Sequence, residues 1–269
     1  MKSTTELKAR GLRDKVTELG SALVAYSGGV DSGYLAWVAR QALGDRVLAV
    51  LADSPSLAAF QKRDAIEFAR AFDIPLEVIQ TGEFSNPDYV KNAPDRCFHC
   101  KDELFTKLTE LARERGFDAI IYGVNADDTR DFRPGHRAAA IHGVRSPLLE
   151  AGLTKADVRE LARQAGLPVW DRPASACLSS RIPYGTPVTI QNLSVIEKGE
   201  DAVRALGFRQ FRVRHHGELA RIEISPEELS KALDPEMTRR FTEIFKNLGY
   251  KYVTLDLEGY RTGSLNEIL

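Results

Sequence analysis

The chain of 269 residues is poor in cysteine and has no long apolar run. Three cysteines are too few, and odd in number, for a disulfide framework, so a reducing compartment, the cytoplasm, is expected. No stretch approaches the ~20 consecutive apolar residues that a membrane span requires. The opening residues, MKSTTELKARGLRDKVTELG, interleave charges without an apolar block; they read as an exposed helix and not as an export signal. Neither sign of charge dominates, since 37 Lys and Arg face 38 Asp and Glu, for a formal net charge of −1. A dedicated nucleic-acid binder usually carries a basic surplus, so this balance argues against nucleic acid as the partner. There is no internal repeat and no low-complexity segment.

What is present is alternation. SALVAYS (21–27) is a short apolar run ending in glycines, as a buried parallel strand should, and Leu35, Val38 and Leu43 then recur at helical spacing before Gly44. RVLAVLA (46–52), LEVIQT (76–81) and FDAIIYG (117–123) repeat the strand signal. Helical patterns lie between them, the last running from after Cys100 to Gly116. Thr154 with Asp157 three residues on forms a capping box, and Gly166 closes that helix. Such βαβ units predict an α/β fold with a doubly wound parallel sheet. From about residue 185 the texture changes: a helix over 189–206, paired strands at FRVRHH (211–216) and LARIEI, a charged helix near 236–248, and YKYVTLDLEG. We therefore place a first domain at residues 1–175, a cysteine-bearing linker loop at 176–188, and a second, smaller α+β domain at 189–269.

Strand 21–27 runs directly into SGGVDSG. Small residues where a strand meets a helix admit a phosphate close to the backbone, and the helix N-terminus aims N–H groups at it. The Lys-Ser/Thr pair of the P-loop is absent, and so is G-x-G-x-x-G. The six residues Ser27 to Ser32, S-G-G-V-D-S, resemble the PP-loop of ATP pyrophosphatases, which cleave ATP between its α and β phosphates. In that resemblance Ser27, Gly28, Gly29 and Ser32 cradle the departing pyrophosphate and Asp31 holds Mg²⁺. Ligands of open α/β sheets sit outside the carboxyl ends of the strands, which nominates Ala52, Asp53, Ser54 and Gly123 for the adenosine. The plainer alternative is a glycine turn whose Asp31 and Ser32 merely cap a helix.

Four further stretches, GVNADDTRDFRPGHRA (123–138), SACLSSRIPYGT (175–186), FRVRHH and YVTLDLEGYRTGS (252–264), together resemble the LarE family of ATP-dependent sulfur transferases. The resemblance covers nearly the whole chain, and S-S-R-x-P-Y-G is its most specific part. It implies a nucleotide-like substrate, pyridinium-3,5-biscarboxylic acid mononucleotide, whose carboxylate is adenylated by ATP and then converted to a thiocarboxylate for the nickel-pincer nucleotide cofactor. A homo-oligomer and a sulfide or persulfide donor are implied as well. Chemically, a carboxylate is a poor acyl donor until its oxygen becomes a phosphate leaving group, and a thiolate is a competent nucleophile.

The family has two forms: one sacrifices a single cysteine to dehydroalanine, the other holds a [4Fe-4S] cluster on three cysteines. Cys97 and Cys100, in RCFHCK, with Cys177 in the S-S-R loop, match the second form. Where the single-cysteine form carries its donor this chain has Ala176, one residue earlier. Clusters prefer thiolate ligands. Zinc with His99 as fourth ligand, and three unconnected thiols acting as small apolar groups, are the competing readings.

Arg212 and Arg214 alternate with Phe211 and Val213, so both guanidiniums share a strand face and suit a substrate phosphate; a solvated polar face is the alternative. Arg181, beside Cys177, is expected to bind a carboxylate or phosphate, with Ser180 adding a hydrogen bond. Glu200 is expected to hold a cation or orient Arg212. Asp127, Asp128, Arg133 and Arg137 form either an active-site rim or an ordinary charged loop. His215 and His216 read as structural. Rival functions are a transfer-RNA thiolase, an amide-forming synthetase that needs no cysteines, and a nucleotide-binding module without chemistry.

Overall fold

The computed structural model describes residues 4–130, 134–173 and 175–261. The chain divides into two compact units, one of residues 1–86 and 95–174, the other of residues 87–94 and 175–269.

The larger unit is built on a four-stranded sheet of β1 (Ala22–Tyr26), β2 (Val47–Asp53), β3 (Leu76–Gln80) and β4 (Ala119–Tyr122), in the order β3-β2-β1-β4. All of its pairings are parallel, with Ala22 beside both Val47 and Ala119. Side chains alternate between two cores, as a period of two requires. Ala22, Val24 and Tyr26 of β1 join Val47, Ala49 and Leu51 of β2 on one face. There they meet helices α1 (Thr4–Thr17), α2 (Val30–Leu43), α3 (Ala59–Ala71) and α5 (Lys155–Gln164). Leu23, Ala25 and Val50 face the other way, onto Leu104, Phe105 and Leu108 of α4 (Arg96–Arg115). Because both faces are covered, the strands read as continuous apolar runs. The strand order reverses at β1, with β2 and β3 laid down on one side and β4 on the other, so the crevice at the carboxyl ends of β1 and β4 is the expected ligand site.

Helix α5 starts with the capping box foreseen in the sequence: Thr154 accepts from the Asp157 amide, and Asp157 accepts from the Thr154 amide. Burial pushes the Asp157 carboxyl up, but Lys8, Thr5 and Thr154 donate to it and hold it well below the usual carboxylate range. The N-terminal helix is not the exposed helix expected. Leu12 and Val16, one turn apart, are fully buried in the core.

In the smaller unit, β5 (Phe211–His216) runs antiparallel to β6 (Leu219–Ile224), which pairs in parallel with β7 (Tyr252–Leu255). Phe211, Val213, Ala220, Ile222 and Ile224 pack on Val203 of α6 (Ile190–Ala205) and on Phe241 and Phe245 of α7 (Pro235–Asn247). A Cβ on Gly199 would lie 2.6 Å from the Phe245 ring, so glycine permits this close helix approach. The opposite sheet face carries Arg212, Arg214, Arg221 and Glu223.

Residues 87–94, read from the sequence as part of the first domain, belong to this second unit. Asn92 explains why: fully buried and left-handed at φ 58°, it donates through Nδ2 to the carbonyls of Ile182, Pro183 and Thr186. Its own carbonyl accepts from Gly185. No helix among the described residues is long and apolar enough to cross a membrane.

Candidate functional site

The loop after β1 is held open for a ligand by contacts that forbid side chains. Gly28 adopts φ +74°, and a Cβ there would stand 2.7 Å from the Ala65 Cβ of α3. Gly123, after β4, would place a Cβ 2.7 Å from the Ser32 amide nitrogen. Gly123 thus packs against the first turn of α2, and this contact brings the ends of β1 and β4 together. Within the loop the Ser27 amide donates to Ser32 Oγ at 3.2 Å, and the two hydroxyls lie 3.0 Å apart. The hydroxyl of Tyr26 donates to the Ala65 carbonyl, and burial raises its pKa.

Two cations that sequence reasoning missed converge on this loop. Lys155, the first residue of α5, donates through Nζ to Asp31, which also accepts from Asn125 Nδ2 at 3.4 Å. Arg172 donates to the Gly28 carbonyl at 3.2 Å and lies 3.7 Å from Asp64. They stand 124 and 144 residues from their loop partners, so no local pattern signals them. Together they supply positive charge that the loop sequence lacks.

The acidic loop after β4 turns inward. Asp127 accepts from the Lys155 amide at 2.8 Å, Asp128 accepts from the Asn125 amide, and Asn125 Oδ1 accepts from the Asp127 amide. These bonds fix Asn125 and Lys155 against Asp31, a positioning task that neither an outer rim nor a merely charged loop describes. Arg137 lies over the Phe98 ring, 4.4 Å from its centroid. Arg133 lies outside the described residues.

At the carboxyl end of β2, Asp53 accepts from Lys62 at 2.5 Å and Gln80 at 2.7 Å. Burial pushes its carboxyl up, yet these partners hold it below the usual range. Ala52 is the last residue but one of the same strand, and Ser54 Oγ lies 2.8 Å from Ser56 Oγ. Ser56 in turn donates to Glu83, a buried residue that the sequence did not single out.

Cys97 and Cys100 differ from expectation in their setting. Helix α4 begins at Arg96, so the pair lies within its first turns and not ahead of it. Asp95 stands at the N-cap without a side-chain capping bond, and the weak apolar period of RCFHCK gives no sign of the helix. At i and i+3 the two thiols share one helix face. His99 Nε2 is buried without a hydrogen bond, 3.5 Å from Asp95. None of the three cysteines forms a disulfide. Among the described residues no three His, Cys, Asp or Glu side chains gather as a metal site.

Cys177, in the second unit, precedes a 3-10 turn at Leu178–Arg181. Arg181 is 2 % exposed and pairs bidentately with Glu200, at 2.8 and 3.0 Å. Burial opposes both charges, but each partner's field outweighs it: the Arg181 pKa is raised and the Glu200 carboxyl is lowered. Glu200 also accepts from the Val213 amide. The sequence paired Glu200 with a cation or with Arg212; the structure gives it to Arg181. The Ser180 hydroxyl donates to the Cys177 carbonyl at 2.7 Å and is therefore occupied within its own loop.

Arg212 and Arg214 are 9 % and 6 % exposed, which overturns the alternative of a solvated polar face. Arg214 donates to the Ser180 carbonyl at 2.8 Å and to Glu223 at 2.7 Å. Arg212 donates to the Phe211 carbonyl and lies over the Tyr260 ring at 4.9 Å. Burial, followed by the like charge of Arg181, pushes the Arg212 pKa down to about 10. His215 shares a hydrogen bond with Tyr250 at 2.9 Å, and burial lowers the pKa of both His215 and His216.

Comparison with known proteins agrees with this geometry. Residues 5–124 match the NAD synthase family model. Over 98 % of its length the chain is 45 % identical to the uncharacterized protein slr1717 of Synechocystis, covering 98 % of that protein. It is 35 % identical over 99 % of its length to the pyridinium-3,5-bisthiocarboxylic acid mononucleotide synthase of Lactiplantibacillus plantarum, covering 96 % of it. An uncharacterized Methanocaldococcus jannaschii protein, MJ0830, is 30 % identical over 89 % of this chain and 90 % of its own. With its glycine-lined loop at the head of a parallel sheet and this full-length relationship, the chain belongs to the LarE family of PP-loop ATP pyrophosphatases, adenylating sulfur transferases.

Proposed function

We propose that the protein activates a carboxylate of pyridinium-3,5-biscarboxylic acid mononucleotide with ATP and replaces the activated oxygen by sulfur, in the synthesis of the nickel-pincer nucleotide. The observation that carries this reading is a phosphate cradle closed to side chains at Gly28 and Gly123, in a chain that also fixes a cysteine loop beside buried arginines. The carboxylate oxygen attacks the α-phosphorus of ATP, pyrophosphate departs, and an acyl-adenylate forms. A sulfur nucleophile then attacks the acyl carbon and AMP leaves, so the product is a thiocarboxylate.

Ser27, Ser32 and the amides that open α2 donate to the β and γ phosphates, and Lys155 and Arg172 balance their charge. Mg²⁺ neutralises charge on the leaving pyrophosphate. Asp31 suits that ion as an oxygen ligand held in place by Lys155 and Asn125. Ala52, Asp53 and Ser54 line the adenosine end. Arg212 and Arg214 take the phosphate of the nucleotide substrate, and the depressed pKa of Arg212 supports this, because a bound anion restores what burial removes.

For the sulfur, Cys97 and Cys100 form a two-thiol arm on one helix face, chemically apt for iron, and Cys177 is the third thiol of the chain. A [4Fe-4S] cluster on these three would supply the transferable sulfur; no three donors gather among the described residues, so every step above is assigned to the chain alone. Three unbridged thiols suit a reducing cytoplasm.

The test is anaerobic purification with iron and sulfide analysis, followed by single-turnover assays for pyrophosphate and thiocarboxylate. Iron near four per chain, lost in the Cys97→Ser and Cys177→Ser variants, is expected from the cluster stoichiometry of about four irons. Little iron, with Cys177 converted to dehydroalanine after turnover, would establish the sacrificial route. Turnover that survives replacement of all three cysteines would refute sulfur transfer by this chain.

A further inference from the structure

We infer that Arg181 is a positioning residue that fixes the backbone of the cysteine loop, and that its guanidinium is not a ligand for the substrate. Its motif, S-S-R beside a cysteine, invites the opposite reading. The hydrogen bonds decide the matter.

A guanidinium has five N–H donors in a planar fork. Arg181 Nε donates to Glu200 Oε1 at 2.8 Å and Nη2 to Oε2 at 3.0 Å. Nη1 faces three acceptors of the loop itself: the Ala176 carbonyl at 2.9 Å, the Cys177 carbonyl at 3.1 Å and Ser180 Oγ at 2.9 Å. One N–H on Nη2 is left, too few for the bidentate grip that makes arginine a good carboxylate or phosphate receptor. The side chain is also only 3 % exposed. A substrate anion could bind it only by displacing Glu200 or the loop.

One of these bonds reaches the Cys177 carbonyl, and two from Ser180 join it there. That carbonyl accepts from Arg181 Nη1, from the Ser180 hydroxyl at 2.7 Å and from the Ser180 amide at 3.0 Å. Three donors on one oxygen set the peptide plane that follows Cys177, and so the direction of its Cα–Cβ bond. The loop is held at further points, by Arg214 Nη1 on the Ser180 carbonyl and by a 2.7 Å bond between the Tyr89 and Ser179 hydroxyls. Glu200 anchors the clamp to the sheet through the Val213 amide. A reacting sulfur needs this restraint, because a misplacement of about 1 Å can cost about 10²-fold in rate. The inference rests on the sulfur-transfer reading for the importance of Cys177, though not for the clamp.

The experiment is Arg181→Lys, read by amide hydrogen exchange and by steady-state kinetics with the nucleotide substrate. Lysine reaches Glu200 or the loop carbonyls, not both. Exchange at the Ser180 and Ile182 amides, whose acceptors are the Cys177 and Ser179 carbonyls, is expected to rise by about tenfold or more. Thiocarboxylate kcat should fall by about 10²-fold while KM for the substrate stays within about twofold. A rise in KM with kcat and exchange unchanged would make Arg181 a substrate ligand and overturn the inference. If Arg181→Lys does not fold, the double variant Arg181→Met/Glu200→Leu removes both charges of the buried pair. It should fold and still exchange fast at both amides; native exchange there would overturn the inference. Absence of thiocarboxylate formation by the wild type would count against the functional reading, and the exchange result would still decide the clamp.

Discussion

Gly28→Ala tests whether the cradle is shaped by steric exclusion. Two costs follow from the geometry. At φ +74° an L-residue pays roughly 1–2 kcal/mol for the left-handed conformation. The new methyl would also lie 2.7 Å from the Ala65 Cβ and 3.2 Å from its Cα, so the loop or α3 must retreat, and overpacking of this kind costs about 1–3 kcal/mol. Their combination predicts about 2–5 kcal/mol of destabilisation in the larger unit. Trp37 and Trp170 both lie in that unit, so tryptophan fluorescence in a urea titration reads its unfolding. Ala65→Gly supplies the control. Alone it should cost about 0.5–1 kcal/mol as a glycine inside a helix. Combined with Gly28→Ala it should recover about 1–2 kcal/mol of the additive loss, since it removes the nearest clash and leaves the dihedral strain. ATP affinity by calorimetry should fall in Gly28→Ala and recover in part in the double variant. A single variant within about 0.5 kcal/mol of wild type, or strictly additive changes, would refute the steric argument.

Other substitutions separate binding from stability. Lys155→Met should weaken ATP by about 10- to 100-fold in calorimetry, at little cost in melting temperature, because its pairing with Asp31 is partly exposed. Glu200→Gln leaves Arg181 charged and buried without its carboxylate, so denaturation of the smaller unit should lose about 3 kcal/mol or more. The Glu200 carboxyl is depressed in the folded state, hence its stabilising effect is full above its ordinary value of 4.5 and is lost as pH falls through the depressed one. Urea midpoints followed downward from neutral pH should therefore show a weaker acid dependence in Glu200→Gln than in wild type. Asp157→Asn removes one half of the α5 capping box and the bond to Lys8, and should cost about 1–2 kcal/mol by thermal melting.

Chemistry carried by adjacent residues could be read from the sequence, and chemistry assembled from distant ones could not. Ser27 to Ser32 announced a phosphate loop because strand, glycines and helix start are contiguous. The alternation of Phe211, Arg212, Val213 and Arg214 likewise announced a two-faced strand. Lys155 and Arg172 were invisible, each reaching the loop from more than a hundred residues away. Asn92 was invisible for the same reason: its side chain closes a turn at residues 182–186 that only the folded unit brings near. The start of α4 was misread on different grounds. Its first turns, RCFHCK, bury Arg96 and no apolar side chain, so apolar periodicity gave no sign of a helix that starts at Arg96.

Their buried partners are what separate Arg181, Arg212 and Arg214, three arginines of the second unit that the sequence assigned alike to substrate anions. Arg181, Arg212 and Arg214 are all nearly inaccessible, as are Glu200 and Glu223, so three buried positive charges share two buried negative ones. Glu200 grips Arg181 with both oxygens, and Glu223 serves Arg214 while also accepting from the half-buried Arg221. Burial, and after it the like charge of Arg181, lowers the Arg212 pKa, while that of Arg181 rises beside Glu200. The carboxylate of Glu200 that commits Arg181 to the cysteine loop also acts to raise the pKa of Arg212 against that burial, so one buried ion pair bears on both arginines.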